Sequence, residues 1–395
     1  MRFLRHVPRQ GVLIFGLQLT HSTCVSALIP LMGYFIVAGL GSQPWQVGLY
    51  TGLVMPLTLI ATRWAGERLD KGFPVRRLLL ISVAAYLMLT AILTRTDSLL
   101  ILIAAAAPLM SLANLGSGTI FTFGRLYATQ NGLDVAKVNS WLRMAVSLAW
   151  MIGPAVSFFL AARFGFAAAF SCAFALGLVY ALLWYVVVPR EFRAPQRQVA
   201  SDGSDPINWG LRIAGLICLG FVITNSLFVS AMPLFFIKDV GLPGATPGLS
   251  LTVKCLVEVF IIFASVRLAA RIGLRQVLMI AACLGAVSMM LFAQAGHVWQ
   301  VLVISALEGV YYGLFAGVAI TFVQSFAPDR PGRATAVYMN SLFLGGMIGS
   351  VSMGFIASAA DFKTVLFVAA SASLAAFAIL LATWKVQPRP HAQEL

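Results

Sequence analysis

Charge is scarce in this sequence, and its scarcity excludes a soluble globular protein. Only 10% of the 395 residues are Asp, Glu, Lys or Arg, whereas 60% are hydrophobic and the mean hydropathy is +0.91. A soluble chain of this length has no interior large enough to hold so much apolar surface. We therefore expect an all-α membrane protein.

Motifs of membrane enzymes and of ATP-driven proteins are also missing. The chain contains no HExxH, GxSxG or GxxxxGK[ST] sequence, so it shows neither a catalytic set nor an ATP-binding loop. Its five cysteines lie in apolar runs without a CxxC pair, which does not indicate a disulfide framework. We expect no enzymatic activity, no cofactor and no bound metal.

Twelve apolar runs are long enough to cross a bilayer as helices. The hydrophilic stretch 189–208 divides six runs from six, which predicts an N-terminal bundle (1–188), a cytoplasmic linker (189–208) and a C-terminal bundle (209–395). The twelve predicted helices cover residues 12–38, 45–66, 78–94, 99–123, 138–161, 167–188, 210–236, 248–268, 276–295, 299–323, 336–358 and 365–384.

The distribution of the basic residues predicts that both termini are cytoplasmic. In this orientation most of the 27 Lys and Arg residues fall on the cytoplasmic side, as the positive-inside rule requires. The same distribution explains the net charge of +14 without a nucleic-acid partner. The exceptions are Arg95, Arg163, Lys238 and Lys363 outside, and Arg143 and Lys254 within helices.

The first helices of the two halves look like repeats. The sequence around Pro30 is similar to that around Pro233, and aligning the two prolines places His21 opposite Thr224. Repeated halves with proline-interrupted helices are typical of secondary transporters, whose substrate site lies near the midplane of the membrane.

The loop after the second helix, residues 66–77, reads GERLDKGFPVRR. It resembles the G-x-x-x-D-(R/K)-x-G-(R/K)-(R/K) signature of the major facilitator superfamily, with a small departure in spacing before the arginine pair. The resemblance gives Asp70 a gating contact with the positive end of a neighbouring helix; a purely topogenic loop is the alternative. Arg143 either reaches the cytoplasm or pairs with an acid across the interface of the two bundles. The expected gating residues are Asp70, Arg76, Arg77 and Arg143.

A second resemblance concerns one family within this superfamily. Residues 324–341, QSFAPDRPGRATAVYMNS, are similar to a loop of bacterial sugar efflux transporters that reads Q-D-x-x-P-x-R-x-G-x-A-T and then N-[ST], with Ser325 in place of the acid. Glu258 matches a helix-eight glutamate of that family, and Trp150–Pro154 resembles part of a glycine–proline signature of exporters.

These resemblances imply a major facilitator fold, with twelve transmembrane helices in two six-helix pseudo-symmetric bundles. They also imply a monomeric secondary transporter of the bacterial inner membrane, which exports sugars or sugar-like glycosides by alternating access in exchange for protons. Its expected partners are the substrate, protons and the lipid bilayer. A multidrug/proton antiporter is the alternative, although Leu112 and Asn114 stand where such exchangers carry an arginine.

Ionisable residues inside the membrane mark the candidate site, because each costs at least about 2.5–3.5 kcal/mol near the bilayer centre. Lys254 and Glu258 lie four residues apart and should pair on one helix face, either for function or only for packing. Glu308 has no nearby basic residue in sequence and is expected to carry the proton, with a protonated packing role as the alternative.

The full set of candidates combines these charges with polar and aromatic residues of the helices. For His21 a packed polar role is the alternative to substrate binding. The expected proton-coupling residues are Glu308 and Glu258. The expected substrate-binding residues are Gln18, His21, Asn114, Asn225, Lys254, Glu258, Tyr311, Tyr312 and Asn340.

Overall fold

The structure is a computed structural model that describes residues 9–133, 135–190, 192, 208–327 and 331–386. Within these residues twelve helices are long and apolar enough to cross a membrane. The first six are α1 (Gln10–Gly39), α2 (Pro44–Leu69), α3 (Val75–Leu93), α4 (Leu99–Gln130), α5 (Trp141–Phe164) and α6 (Phe166–Val187).

The second six are α7 (Trp209–Asp239), α8 (Thr246–Ile272), α9 (Leu274–Phe292), α10 (Val298–Gln324), α11 (Ala334–Ala359) and α12 (Phe362–Ala382). The twelve predicted helices are confirmed, with ends that shift by a few residues. Most of the predicted linker 189–208 lies outside the described residues.

Contacts divide the chain into two compact units. One contains Met1–Ser42 and Leu53–Ala200, and the other contains Gln43–Gly52 and Ser201–Leu395. The second unit has a continuous aromatic and aliphatic core, in which Phe221 of α7 stacks on Phe315 of α10 with ring centroids 4.7 Å apart.

The two units repeat one another in a register that differs from the proline alignment. α1 ends in a π-helical turn, Phe35–Gly39, and α7 ends in an equivalent turn, Phe235–Asp239. Ser26 donates a hydrogen bond to a carbonyl of α5, and Ser226 donates one to a carbonyl of α11, each at 2.9 Å. Ser26 therefore corresponds to Ser226, and the predicted pairing of the two prolines is wrong by about one helical turn.

Each unit also secures the end of its last helix with an arginine from its third helix. In the first unit, Arg76 Nη1 donates to the carbonyl of Val188 at 2.8 Å, and its guanidinium lies 5.0 Å from the Trp184 ring centroid. In the second unit, Arg275 donates to the carbonyls of Leu380 and Val386 at 2.7 and 2.9 Å. The carbonyls of a last helical turn have no partner within the helix, so both arginines satisfy groups that would otherwise need water.

Removing the second of these arginines should destabilise the helix end that it holds. We expect Arg275→Met to lower the unfolding free energy by about 1–2 kcal/mol, because the charge-assisted hydrogen bonds from the half-buried guanidinium to the two carbonyls are lost. Thermal unfolding in detergent measures the change. Arg271→Met, at an exposed position near the end of α8, is the matched control and should stay within about 0.5 kcal/mol of the original protein.

Candidate functional site

A buried ion pair joins α8 to α10 inside the second unit. Lys254 Nζ lies 2.7 Å from Glu308 Oε1, and the two residues are only 4% and 0% exposed. The predicted pair of Lys254 with Glu258 is therefore wrong, and Glu308, which has no basic residue near it in sequence, is the partner of Lys254. A fully buried carboxylate needs a countercharge more than a half-buried one does, so the lysine serves Glu308.

Lys254 has two further partners, which together fix its position. Its Nζ donates to Asn225 Oδ1 at 2.6 Å, and it lies 4.5 Å from the ring centroid of Tyr312. An ammonium group has three donors and is attracted to an aromatic face. Lys254 consequently links α7, α8 and α10 through one acid, one amide and one ring.

The close approach of α8 and α10 depends on a stripe of glycines on α10. A Cβ atom on Gly309 would lie 2.5 Å from the carbonyl oxygen of Lys254, and one on Gly313 would lie 2.8 Å from Cβ of Ile261. Earlier on the same pair of helices, the hydroxyl groups of Ser250 and Ser305 are 2.7 Å apart. Small residues at this spacing let the two backbones meet, which brings Glu308 within reach of Lys254.

Glu258 lies one turn after Lys254 on α8 and is half-buried. Among the described residues it makes no hydrogen bond and no ion pair, although the charges of Lys254 and Glu308 both act on it. Glu308 Oε2 is buried as well and accepts no hydrogen bond within the described part of the chain. The site therefore holds two carboxylates and one ammonium.

The other candidate residues of the second unit differ in their burial and in their contacts. Tyr311 is fully buried, and its hydroxyl donates to the carbonyl of Phe221 at 3.0 Å, so that it serves the core. Tyr312 is half-buried and provides the ring beside Lys254. Asn340 is exposed on α11. The structure thus brings Asn225, Lys254, Glu308 and Tyr312 together.

The polar candidates of the first unit form a separate group. Gln18 Nε2 donates to the hydroxyls of Ser22 and Ser117 at 2.9 and 3.2 Å, and it is fully buried. His21 is 2% exposed, and its Nε2 lies 3.2 Å from the carbonyl oxygen of Ala113. These contacts agree with the packed polar role that was the alternative for His21.

The remaining candidate residues of the first unit are Asn114 and the predicted gating residues. Asn114 is half-buried where α4 is interrupted by a turn, and the Arg77 guanidinium lies 5.9 Å from the ring centroid of Phe73. Arg143 is exposed on α5. The side chain of Asp70 lies outside the described residues, so its gating contact stays a prediction.

A hydrogen bond connects the two described sides of the loop motif that resembles sugar efflux transporters. Gln324 Nε2, at the end of α10, donates to the hydroxyl of Thr335 on α11 at 3.0 Å. Residues 328–330 between them lie outside the described part of the chain. No group of three or more His, Cys, Asp or Glu that could hold a metal ion occurs among the residues that the structure describes.

Comparisons with known proteins agree with this architecture. Residues 214–395 match the family model of the Major Facilitator Superfamily. Sugar efflux transporter A of Escherichia coli (strain K12) is 25% identical over 352 residues, which cover 88% of this chain and 89% of that protein. The Multidrug resistance protein MdtG of Klebsiella pneumoniae (strain 342) is also 25% identical, but the match covers only 46% of this chain and 45% of MdtG.

Solved structures show the same fold at lower sequence identity. The crystal structure of the nucleoside transporter NupG superimposes with a TM-score of 0.76 at 14% identity, over 96% of this chain and 100% of NupG. The predicted fold class is therefore confirmed, and the chain is a multi-pass membrane protein and not an enzyme. By its fold, by the family-model match of residues 214–395 and by its relatives, it is similar to the major facilitator superfamily and, within it, to the sugar efflux transporters.

Proposed function

We propose that this protein is a secondary active transporter that exports sugars or sugar-like glycosides by alternating access, in exchange for protons. The observation that carries the proposal is the likeness to Sugar efflux transporter A along most of the chain. The proposal places the protein in the bacterial inner membrane as a monomer with cytoplasmic termini. In it, Asp70, Arg77 and Arg143 contribute to the gates.

The chemistry of the cluster around Lys254 supports a sugar substrate. A sugar presents hydroxyl groups that donate and accept hydrogen bonds, and it has apolar faces that stack on aromatic rings. Asn225 and Tyr312 are half-buried, so the amide can hydrogen-bond a hydroxyl group and the ring can stack on an apolar face, while the buried Lys254–Glu308 pair holds both side chains in place. One cluster thus supplies the contact types that a glycoside needs.

Charge inside the membrane supports coupling to protons. Ionisable residues in membrane helices commonly form proton relays or substrate paths, because their burial is otherwise too costly to keep. The cluster has two carboxylates for one ammonium, so at least one acid can exchange a proton without a second lysine to hold it charged. Proton exchange at such an acid would allow a proton gradient to drive export.

Export of amphipathic drugs is the second candidate, favoured by the similarity to MdtG. That similarity covers less than half of either chain, whereas the sugar efflux relatives match along most of their length. An experiment on the purified protein separates the two candidates because their substrates differ in charge and in hydroxyl content.

Counterflow in proteoliposomes tests the proposal. Vesicles loaded with unlabelled lactose should accumulate radiolabelled lactose transiently from outside, because alternating access exchanges one molecule for another without an energy source. Protein-free vesicles are the control for leakage. Exchange of a lipophilic cation such as ethidium, with no exchange of lactose or of a panel of glycosides, would instead support the second candidate and contradict sugar export.

A further inference from the structure

The buried cluster on α8 and α10 has an unbalanced charge. Lys254 and Glu308 neutralise one another at 2.7 Å, while Glu258 lies on the same helix as Lys254, one turn away. With all three groups ionised, the cluster would carry a net negative charge among apolar helices. Placing an unbalanced charge in the membrane is unfavourable, so one carboxyl group is expected to take up a proton.

Glu258 and Glu308 differ in their contact with Lys254 and in their exposure. Protonating Glu308 would leave the buried ammonium of Lys254 with only the neutral amide of Asn225 and the ring of Tyr312 in direct contact, while Glu258 stayed charged. Protonating Glu258 leaves the ion pair intact and the cluster neutral. Glu258 is also half-buried, whereas Glu308 is 0% exposed, so a proton can reach Glu258 more directly.

Among the residues that the structure describes, no second countercharge acts on Glu258. The titratable groups that act on it come from its own helix and from α10. Lys254 is the only cation among them in the described residues, and it is engaged by Glu308. These groups are Lys254 and Cys255 on α8 and Glu308 and Tyr312 on α10, while Tyr338 on α11 acts in turn on Tyr312.

We propose that Glu258 holds the exchangeable proton of this transporter, and that Lys254 and Glu308 remain paired as a fixed link between α8 and α10. The assignment rests on the proposed function, since it names the residue that couples protons to export. The sequence predicts both Glu308 and Glu258 as proton-coupling residues, with Glu308 as the expected carrier, and the proposal selects Glu258 instead.

Three variants separate the two assignments by charge balance. Glu258→Gln keeps the neutral ion pair, and the lactose flux that it supports should no longer be stimulated by an imposed pH gradient. Lys254→Met/Glu308→Gln removes the ion pair and leaves Glu258, so the flux that it supports should still respond to the gradient. Glu308→Gln frees Lys254 to pair with Glu258, so its response to the gradient should also be lost.

A second measurement does not depend on sugar transport, because the double variant could lose substrate binding. Infrared spectra of the purified protein report the C=O stretch of a protonated carboxyl group during a pH titration. The component of this band that belongs to Glu258 should titrate in the original protein and in Lys254→Met/Glu308→Gln, and it should be missing from Glu258→Gln, where only the other acidic residues contribute.

The outcomes distinguish failure of the inference from failure of the proposed function. Absence of counterflow in the original protein overturns sugar export, while the infrared titration still decides which acid binds the proton. Normal counterflow with Glu258→Gln still driven by the gradient overturns the assignment to Glu258. A component of the carboxyl band that persists in Glu258→Gln and disappears in the double variant assigns the proton to Glu308 and also overturns it.

Discussion

Lys254→Met is expected to destabilise the second unit strongly and to abolish transport. The substitution leaves the carboxylate of Glu308 at 0% exposure without its ammonium partner. Removing one member of a buried ion pair typically costs about 3–5 kcal/mol, because the remaining charge is left uncompensated. The acid would then have to bind a proton or distort the contact of α8 with α10. Thermal unfolding in detergent, together with lactose counterflow, measures both effects.

Two control variants test whether the effect comes from the unpaired buried charge. Lys254→Met/Glu308→Gln removes both charges at similar volume and should recover most of the lost stability, since a coupled pair is not additive. Lys363→Met removes an exposed lysine and should change the unfolding free energy by less than about 0.5 kcal/mol. If Lys254→Met unfolds at the same temperature as Lys363→Met, the ion pair contributes no stability.

The twelve helices could be predicted from the sequence because the bilayer limits the choices. A chain that crosses a hydrocarbon layer must satisfy its backbone hydrogen bonds within helices or a closed barrel, and each helix needs about 20 apolar residues. Hydropathy alone therefore locates the spans to within a few residues. The ends differ because hydropathy does not register caps or turns, as at the π-helical end of α1, Phe35–Gly39.

The partner of Lys254 could not be predicted in the same way. Spacing along α8 correctly indicates that Lys254 and Glu258 share a side of that helix, but the pairing also depends on which helix lies opposite. That information is tertiary, because Glu308 is more than fifty residues away in sequence. One clue was present in the sequence: Glu308 immediately precedes Gly309, the first residue of the glycine stripe, and so lies where two helices can meet most closely.

The register of the repeat was missed for a related reason. Proline marks a weakened hydrogen-bond ladder in a helix, but it does not fix the helix against its neighbours. Small side chains at a helix contact do fix that position: Ser26 with Gly153 in one unit, and Ser226 with Gly349 in the other, occupy matching contacts. The two serines are thus better markers of the repeat than the two prolines.

Gly309→Leu should have the second large effect, because it acts on the contact that makes the ion pair possible. Even a Cβ atom at this position would lie 2.5 Å from the carbonyl oxygen of Lys254 and 2.9 Å from Cβ of Val257. The first of these neighbours is backbone, so the helices themselves must separate. Overpacking commonly costs about 1–3 kcal/mol and occasionally more, and a leucine against backbone belongs at the upper end of that range.

The control for this prediction is Gly118→Leu on α4, where a Cβ atom would meet no atom within 4 Å. It should leave stability unchanged or raise it by up to about 1 kcal/mol, because leucine favours the helix more than glycine does.

Thermal unfolding and counterflow should be measured for both variants. If the α8–α10 contact positions the ion pair, Gly309→Leu should lose both stability and transport. Lys254→Met added to Gly309→Leu should then lower the unfolding free energy by less than Lys254→Met alone does, because the pair is already separated. Equal unfolding temperatures for the two glycine variants would contradict a close contact at Gly309, and a full additional cost of Lys254→Met would show that the ion pair survives without it.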